Sequence, residues 1–386
     1  MTKYLYAKQF YFTDEVKGPG YLPILEDGKL GTYQEEQPDG EIIDYSAYSI
    51  APGLVDTHIH GFMGHDVMDN SAEGLRSISA GLPSCGVTSY LPTTLTAPRD
   101  QLNAVCETVG QVAEQKYEGA KIQGIFLEGP FFSEVYKGAQ NPSYMSDPVT
   151  DYLDDWQKLA KGWVKKIALA PERDGAINFI KHAKSQNIYS ALAHTDATYE
   201  ECRLAVEAGA NIFVHTYNGM RGLHHREPGV VGAALTLGQY DELICDGHHV
   251  HPVSAKIVMQ ATGPEKTVLI TDCMRAGGMG ECESTLGEFD VIVKDGTARL
   301  KHNGSLAGSI LELIQGVQNV VNWGIAPPAE ALRMASLNPA ASVGIDDRCG
   351  KIDPGYPADF IVLDDQLNLK ATFIDGEAYY TNESHN

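Results

Sequence analysis

The chain has 386 residues, with 51 acidic against 29 basic side chains and a formal net charge of −22. Hydrophobic residues make up 43% and charged residues 21%, globular proportions that argue against disorder. So acidic a chain offers no overall footprint for nucleic acid or an anionic membrane, and an anionic ligand would need a local cluster of donors.

The opening MTKYLYAKQFYFTDE lacks the basic-then-apolar order of a secretory leader, and no apolar run reaches bilayer length, so the expected location is the cytoplasm. Up to about residue 50, alternating aromatic stretches separated by GPG, EDGKLG and PDGE read as short strands and turns. The end of the chain reads alike, with ADFIVLD and KATFIDGEAYYT as strands. Neither piece is long enough to bury a core alone. They are expected to pair into one small β-sandwich domain, residues 1–53 with 352–386.

The middle, residues 54–351, alternates apolar β-branched runs with helical stretches. Eight strands are predicted, at 48–58, 87–94, 121–128, 164–171, 188–194, 211–215, 242–246 and 267–272. Helices are predicted between them, as in DQLNAVCETVGQVAEQ and TYEECRLAVEAGA. Repeated βα units with continuously apolar strands imply a buried parallel sheet, and eight of them imply a closed (β/α)8 barrel. An open doubly wound sheet is the alternative, but the first βα turn has no G-x-G-x-x-G. The seven cysteines include no C-x-x-C, and an odd number in so long a chain argues against a disulfide scaffold.

Polar residues close these strands: His58 and His60 on the first, Glu128 on the third, His194 on the fifth, His215 on the sixth and Asp272 on the eighth. In a barrel those ends converge on one face. His58 and His60 are two apart, so on a strand they point the same way. Imidazole and carboxylate are ligands for zinc, iron and similar divalent ions. Singly each residue has a plainer reading. An H-x-H is near chance expectation with 13 histidines, a second one occurs at His249-Val250-His251, and Glu128 or Asp272 would serve as a helix cap. The joint placement points to a metal site.

This pattern resembles the amidohydrolase superfamily, and the local motifs resemble its N-acetylglucosamine-6-phosphate deacetylase family. They are Leu127-Glu128-Gly129-Pro130, Lys137-Gly138-Ala139-Gln140, Ala170-Pro171-Glu172, His194-Thr195-Asp196, His215-Thr216-Tyr217-Asn218-Gly219-Met220, Asp246-Gly247-His248-His249 and Thr271-Asp272-Cys273-Met274-Arg275-Ala276. The match runs in order from about residue 50 to 363. The carboxylated lysine that many superfamily members carry after strand 4 is missing; strand 4 ends in Ala170-Pro171-Glu172, with Lys165 and Lys166 near its start.

The resemblance implies one or two divalent metals, zinc or iron before manganese or cobalt. It implies Glu128, His194 and His215 as common ligands, His58 and His60 as ligands in two-metal members, and Asp272 as the catalytic acid/base. It implies substrate contacts at Ala139, Asn218, Gly219, Arg226, Asp246, His249, Leu306, Ala307 and Gly308, with a phosphosugar as substrate and deacetylation as the reaction. A homodimer is implied too, with His224 and His225 candidates to reach the partner's site. The chain departs from the family at Gln140, where histidine is usual, at Gly219, where alanine is, and at Cys273, where a small residue is common; Cys273 reads as a packing residue. The rivals are a deacetylase or dihydropyrimidinase-like enzyme of the same superfamily, a metal-dependent phosphatase, and a non-enzymatic scaffold. A scaffold would be expected to have lost ligands, and none is lost.

Overall fold

The computed structural model describes residues 2–382. Its centre is eight parallel strands: β1 (Leu54–Ile59), β2 (Val87–Pro92), β3 (Ile125–Phe131), β4 (Val164–Leu169), β5 (Tyr189–Leu192), β6 (Ile212–Phe213), β7 (Tyr240–Ile244) and β8 (Thr267–Ile270). β1 pairs with β2, and β3 to β8 pair in chain order. β2 reaches β3 through the short strand Lys121–Ile122 and a parallel bridge between Thr93 and Phe126. Past β8 the chain returns to β1: Asp272 N donates to His58 O (2.9 Å) and His60 N donates to Cys273 O (2.8 Å).

β1, β2, β3 and β8 are buried along their whole length, as continuous apolar strands covered on both faces require. A helix follows each strand: α1 (Ala72–Gly81), α2 (Arg99–Ala113), α3 (Thr150–Leu159), α4 (Ala176–Ser185), α5 (Tyr199–Ala208), α6 (Gly229–Thr236), α7 (Pro252–Thr262) and α8 (Leu313–Asn322), with two short ones, Pro328–Met334 and Leu337–Ser342, after α8. Their sequences carry the usual starts and stripes. Ser71 caps α1, a reciprocal Thr198–Glu201 box caps α5, and α2 buries Leu102, Val105, Cys106 and Val109 at helical spacing. Among the described residues no helix is long and apolar enough to cross a membrane.

Both ends of the described chain meet in a separate seven-stranded sheet. Glu41–Pro52 is its middle, parallel to Lys3–Tyr11 on one side and antiparallel to Phe360–Leu363 on the other. Its apolar cluster, including Leu5, Phe10, Ile50, Phe360 and Phe373, is distinct from the central one. Residues 1 and 383–386, assigned from sequence to the small domain, lie outside the described residues.

Two sequence-predicted strands are each divided in two. The run 48–58 breaks at Gly53, where the chain passes from the outer sheet into β1; a Cβ there would lie 2.2 Å from Thr88 Oγ1. The run 121–128 breaks at Gln123–Gly124, where Gly124 packs against Lys165. An antiparallel ribbon, Cys282–Leu286, Phe289–Lys294 and Thr297–Leu300, follows β8 and was not anticipated.

Candidate active site

β1 carries His58 and His60 on one face, and their Nε2 atoms lie 3.3 Å apart. β3 brings Glu128 between the imidazoles: Oε1 is 3.4 Å from His58 Nε2, 3.4 Å from His194 Nε2 and 3.3 Å from His215 Nε2. Its Oε2 is 3.3 Å from His60 Nε2. Asp272 Oδ1 is 3.1 Å from His60 Nε2 and 3.4 Å from His58 Nε2. Six side chains from five strands thus converge in two adjoining groups, Glu128–His194–His215 and His58–His60–Asp272.

His194, His215 and Asp272 each stand two residues past the end of a strand, and each has left-handed backbone (φ 44°, 32° and 51°). Such a backbone is costly for a residue with a side chain and is found where function fixes orientation. The ring nitrogens away from the cluster are tied to the backbone. His60 Nδ1 faces Thr93 O (3.2 Å), His194 Nδ1 faces Tyr136 O (2.9 Å) and His215 Nδ1 faces Asn218 O (3.0 Å). A carbonyl only accepts, so each Nδ1 carries the proton and each Nε2 lone pair points into the cluster, the arrangement of a metal-binding imidazole.

The two carboxylates favour positive charge beside His58 and His60, while burial lowers His215. Burial disfavours the His58 imidazolium, yet Asp272 and Glu128 outweigh it and hold the group at about 9. His60 goes well above its usual range against the same burial, through its contacts with Asp272 and Glu128. Glu128 is pulled well below the carboxylate range despite complete burial, led by the charge of His58. Asp272 is lowered despite burial, by His58 and His60. The cluster is built to hold positive charge, and its donors are those that zinc, iron, manganese or cobalt accept.

The cluster opens onto a cleft of about 140 Å³. His60, Glu128, His194, His215 and Asp272 line it, together with Ala139, Asn218, Gly219, His249, Leu306 and Gly308. Asn218 Nδ2 is buried without a partner among the described residues, a donor free for a ligand. Asp246 sits behind His249, with Oδ2 2.6 Å from His249 Nδ1, leaving Nε2 as the nitrogen open to a substrate. Ala307 is fully buried, and its N–H is spent on Ala298 O of the ribbon. Arg226 is not brought to the cleft. It is exposed on the loop before α6, its Nη1 2.6 Å from His225 Nε2.

A family model for the amidohydrolase family matches residues 49–379, which includes every residue of this cluster. The chain belongs to the amidohydrolase family. It is 38% identical over 362 residues to an N-acetylglucosamine-6-phosphate deacetylase of Vibrio furnissii, covering 93% of this chain and 90% of that protein. It is also 38% identical over 365 residues to an N-acetylgalactosamine-6-phosphate deacetylase of Escherichia coli O157:H7, covering 92% and 96%. A variant N-acetyl-D-glucosamine-6-phosphate deacetylase from Mycobacterium smegmatis, solved in complex with N-acetyl-D-glucosamine-6-phosphate, superposes with a TM-score of 0.93. That match is 30% identical and covers 98% of this chain and all of the other.

In this amidohydrolase three further groups touch the cluster. Gln140 Nε2 donates to Glu128 Oε2 (2.8 Å), while Gln140 Oε1 accepts from Thr96 N (2.8 Å). Glu242 of β7 lies beside His58 and is paired with Lys166 of β4; all three are fully buried. Leu286, from the ribbon, adds an apolar wall to the cleft. The signal for Glu242 and Lys166 was present as the charge pairs Asp241-Glu242 and Lys165-Lys166 inside the runs YDELI and VKKIAL, but only the fold shows that Glu242 and Lys166 meet.

Proposed function

We propose that this amidohydrolase removes the acetyl group of N-acetyl-D-glucosamine 6-phosphate, giving D-glucosamine 6-phosphate and acetate, in amino-sugar catabolism and cell-wall sugar recycling. The observation that carries the reading is the convergence of Glu128, His194, His215, His58, His60 and Asp272 on one cleft. It occurs in a chain aligned almost end to end with deacetylases of such sugars.

Glu128, His194 and His215 would hold one divalent metal, and His58 and His60 a second with Asp272 beside them. When bound, the metal makes water acidic enough to react near neutral pH and polarises the acyl oxygen. The protein's own groups do the rest. Asp272 takes the proton of the attacking water and returns it to the departing amine, which must be protonated to leave. His249, braced by Asp246, donates to the acyl oxygen as charge develops there, an interaction worth about 3 kcal/mol. Ala139, Leu306, Ala307 and Gly308 shape the sugar's seat. Asn218 Nδ2 and the Gly219 N–H are donors for the substrate, and Arg226 supplies the guanidinium for its phosphate.

Arg226 stands outside its own cleft, so the phosphate reading goes with a homodimer in which Arg226, His224 and His225 reach toward a partner's site. The exposed apolar side chains Leu223, Val253 and Ile257, on the Arg226 loop and on α7, suit such an interface. The fold that goes with this reading is a (β/α)8 barrel over 54–351 with a β-sandwich of 1–53 and 352–386, supported by the hydrogen bonds that return β8 to β1. We place the enzyme in the cytoplasm.

The test is acetate release from N-acetylglucosamine 6-phosphate by metal-analysed protein, beside unphosphorylated N-acetylglucosamine and N-acetylgalactosamine 6-phosphate. Strong preference for the glucosamine phosphate is expected. Equal rates with and without phosphate would remove Arg226 from its role. Preference for the galactosamine ester would move the substrate to the one named for the Escherichia coli relative.

A further inference from the structure

Three of the four cluster histidines rest Nδ1 on a backbone carbonyl, but His58 does not. Its Nδ1 faces Glu242 Oε2 at 3.6 Å, and neither atom has another hydrogen-bond partner among the described residues. The other oxygen, Oε1, is engaged by Lys166 Nζ. Lys166 also lies 3.8 Å over the Phe126 ring, which stands edge-on to His58 with centroids 4.9 Å apart. Four fully buried side chains from β1, β3, β4 and β7 therefore form one packed unit on the side of His58 away from the cluster. Lys166 pairs with this deeply buried carboxylate and occupies the oxygen that would otherwise be free to act as a ligand.

We propose that Glu242, whose other oxygen is taken by Lys166, is a positioning residue: its Oε2 accepts the Nδ1 hydrogen of His58 and so reserves His58 Nε2 for a divalent cation. Closing the contact to a normal hydrogen bond needs a movement of only about 0.7 Å. A carboxylate partner on Nδ1 fixes the ring's orientation and strengthens Nε2 as a ligand. The consequence is selective: Glu242 and Lys166 set how tightly the His58–His60–Asp272 group holds its ion, without touching the substrate. This inference rests on the metal reading given above.

The test compares intact wild-type protein with Glu242→Gln, using Zn²⁺ alone against a chromophoric chelator and ¹⁵N spectra of the histidines in metal-free protein on the alkaline side of the His58 value of about 9, where that ring is neutral and has a tautomer to read. A glutamine still accepts from Lys166 but turns an N–H toward His58 Nδ1, forcing the ring proton onto Nε2. The expected result is a His58 tautomer change with zinc affinity weakened about 10–100-fold, the usual cost of losing such a partner. Should that variant fold poorly, the paired change Lys166→Met with Glu242→Leu removes both charges and should fold while showing the same loss of zinc affinity. Zinc affinity and tautomer both unchanged would overturn the proposal, as would weakened zinc binding with the tautomer unchanged, which marks a merely structural role. Wild-type protein that binds no zinc would instead overturn the metal reading itself, and this inference with it.

Discussion

Asp272 is held by two imidazoles and by left-handed backbone, so its carboxylate has one orientation toward the cleft. Asp272→Asn keeps the shape and removes the proposed base. Turnover is expected to fall about 10²–10⁴-fold, with N-acetylglucosamine 6-phosphate still bound, as calorimetry with the variant would show. Gln140 answers a question the sequence raised. A neutral amide cannot carry an imidazolium's charge, but it does what a neutral imidazole would, donating to Glu128 and accepting from Thr96. Gln140→Leu leaves Glu128 Oε2 without that donor, and metal affinity is expected to drop about 10–100-fold in chelator competition. Gly219 answers another. At φ 61° a Cβ would lie 2.9 Å from His194 Nδ1, so in this chain an alanine there is strained and presses on the His194 ring. The cluster residues were legible because each polar side chain ends or interrupts an apolar strand. Glu242 was not, because its meaning depends on which face of β7 looks inward.

At the level of elements, the ribbon after β8 is tied to the loop that carries Ala139 and Gln140. Glu288, at its first turn, accepts from Asn141 Nδ2 (2.5 Å) and from Tyr144 OH (3.1 Å), and Leu286 beside it lines the cleft. These are exposed contacts, so Glu288→Ala should change stability by less than about 1 kcal/mol. It should nonetheless raise KM several-fold with kcat nearly kept, because the wall, not the acid/base, is loosened; steady-state kinetics beside a melting curve separates the two. The eight strands and the helices between them could be found because buried parallel strands are continuous apolar runs with amphipathic helices between them. The ribbon escaped that search because it is half-exposed and alternating, as in Phe289–Lys294. Its true marker was the Asp295–Gly296 turn between alternating residues. The predicted strand 48–58 runs across Gly53 although the domain border is read there, and the break at Gly124 is missed, because close approach to Thr88 and Lys165 comes from tertiary packing, not from local pattern.

Across the whole molecule, Lys121 clamps the outer sheet to the central strands. Its Nζ lies 3.0 Å from Asp359 and 2.6 Å from Asp375, and Asp359 is only 6% exposed. Lys121→Met leaves that carboxylate buried with the Asp375 N–H but no cation beside it, with an expected loss of about 3 kcal/mol in denaturant unfolding. The cysteines offer a second global probe: six of the seven are buried and only Cys282 is partly exposed. One fast-reacting thiol is expected in native protein and seven in denaturant, counted with a chromogenic disulfide. The outer sheet also sets a timetable for synthesis. Glu41–Pro52 lies between Lys3–Tyr11 and Phe360–Leu363, so one of its edges waits for a strand made far later. At about 5–20 residues per second, the roughly 300 residues in between keep that edge open for about 15–60 s on the ribosome. An unpaired edge is a template for wrong partners. During that interval a nascent chain depends on dilution or on a chaperone's cover, and overproduction is where the design would fail first.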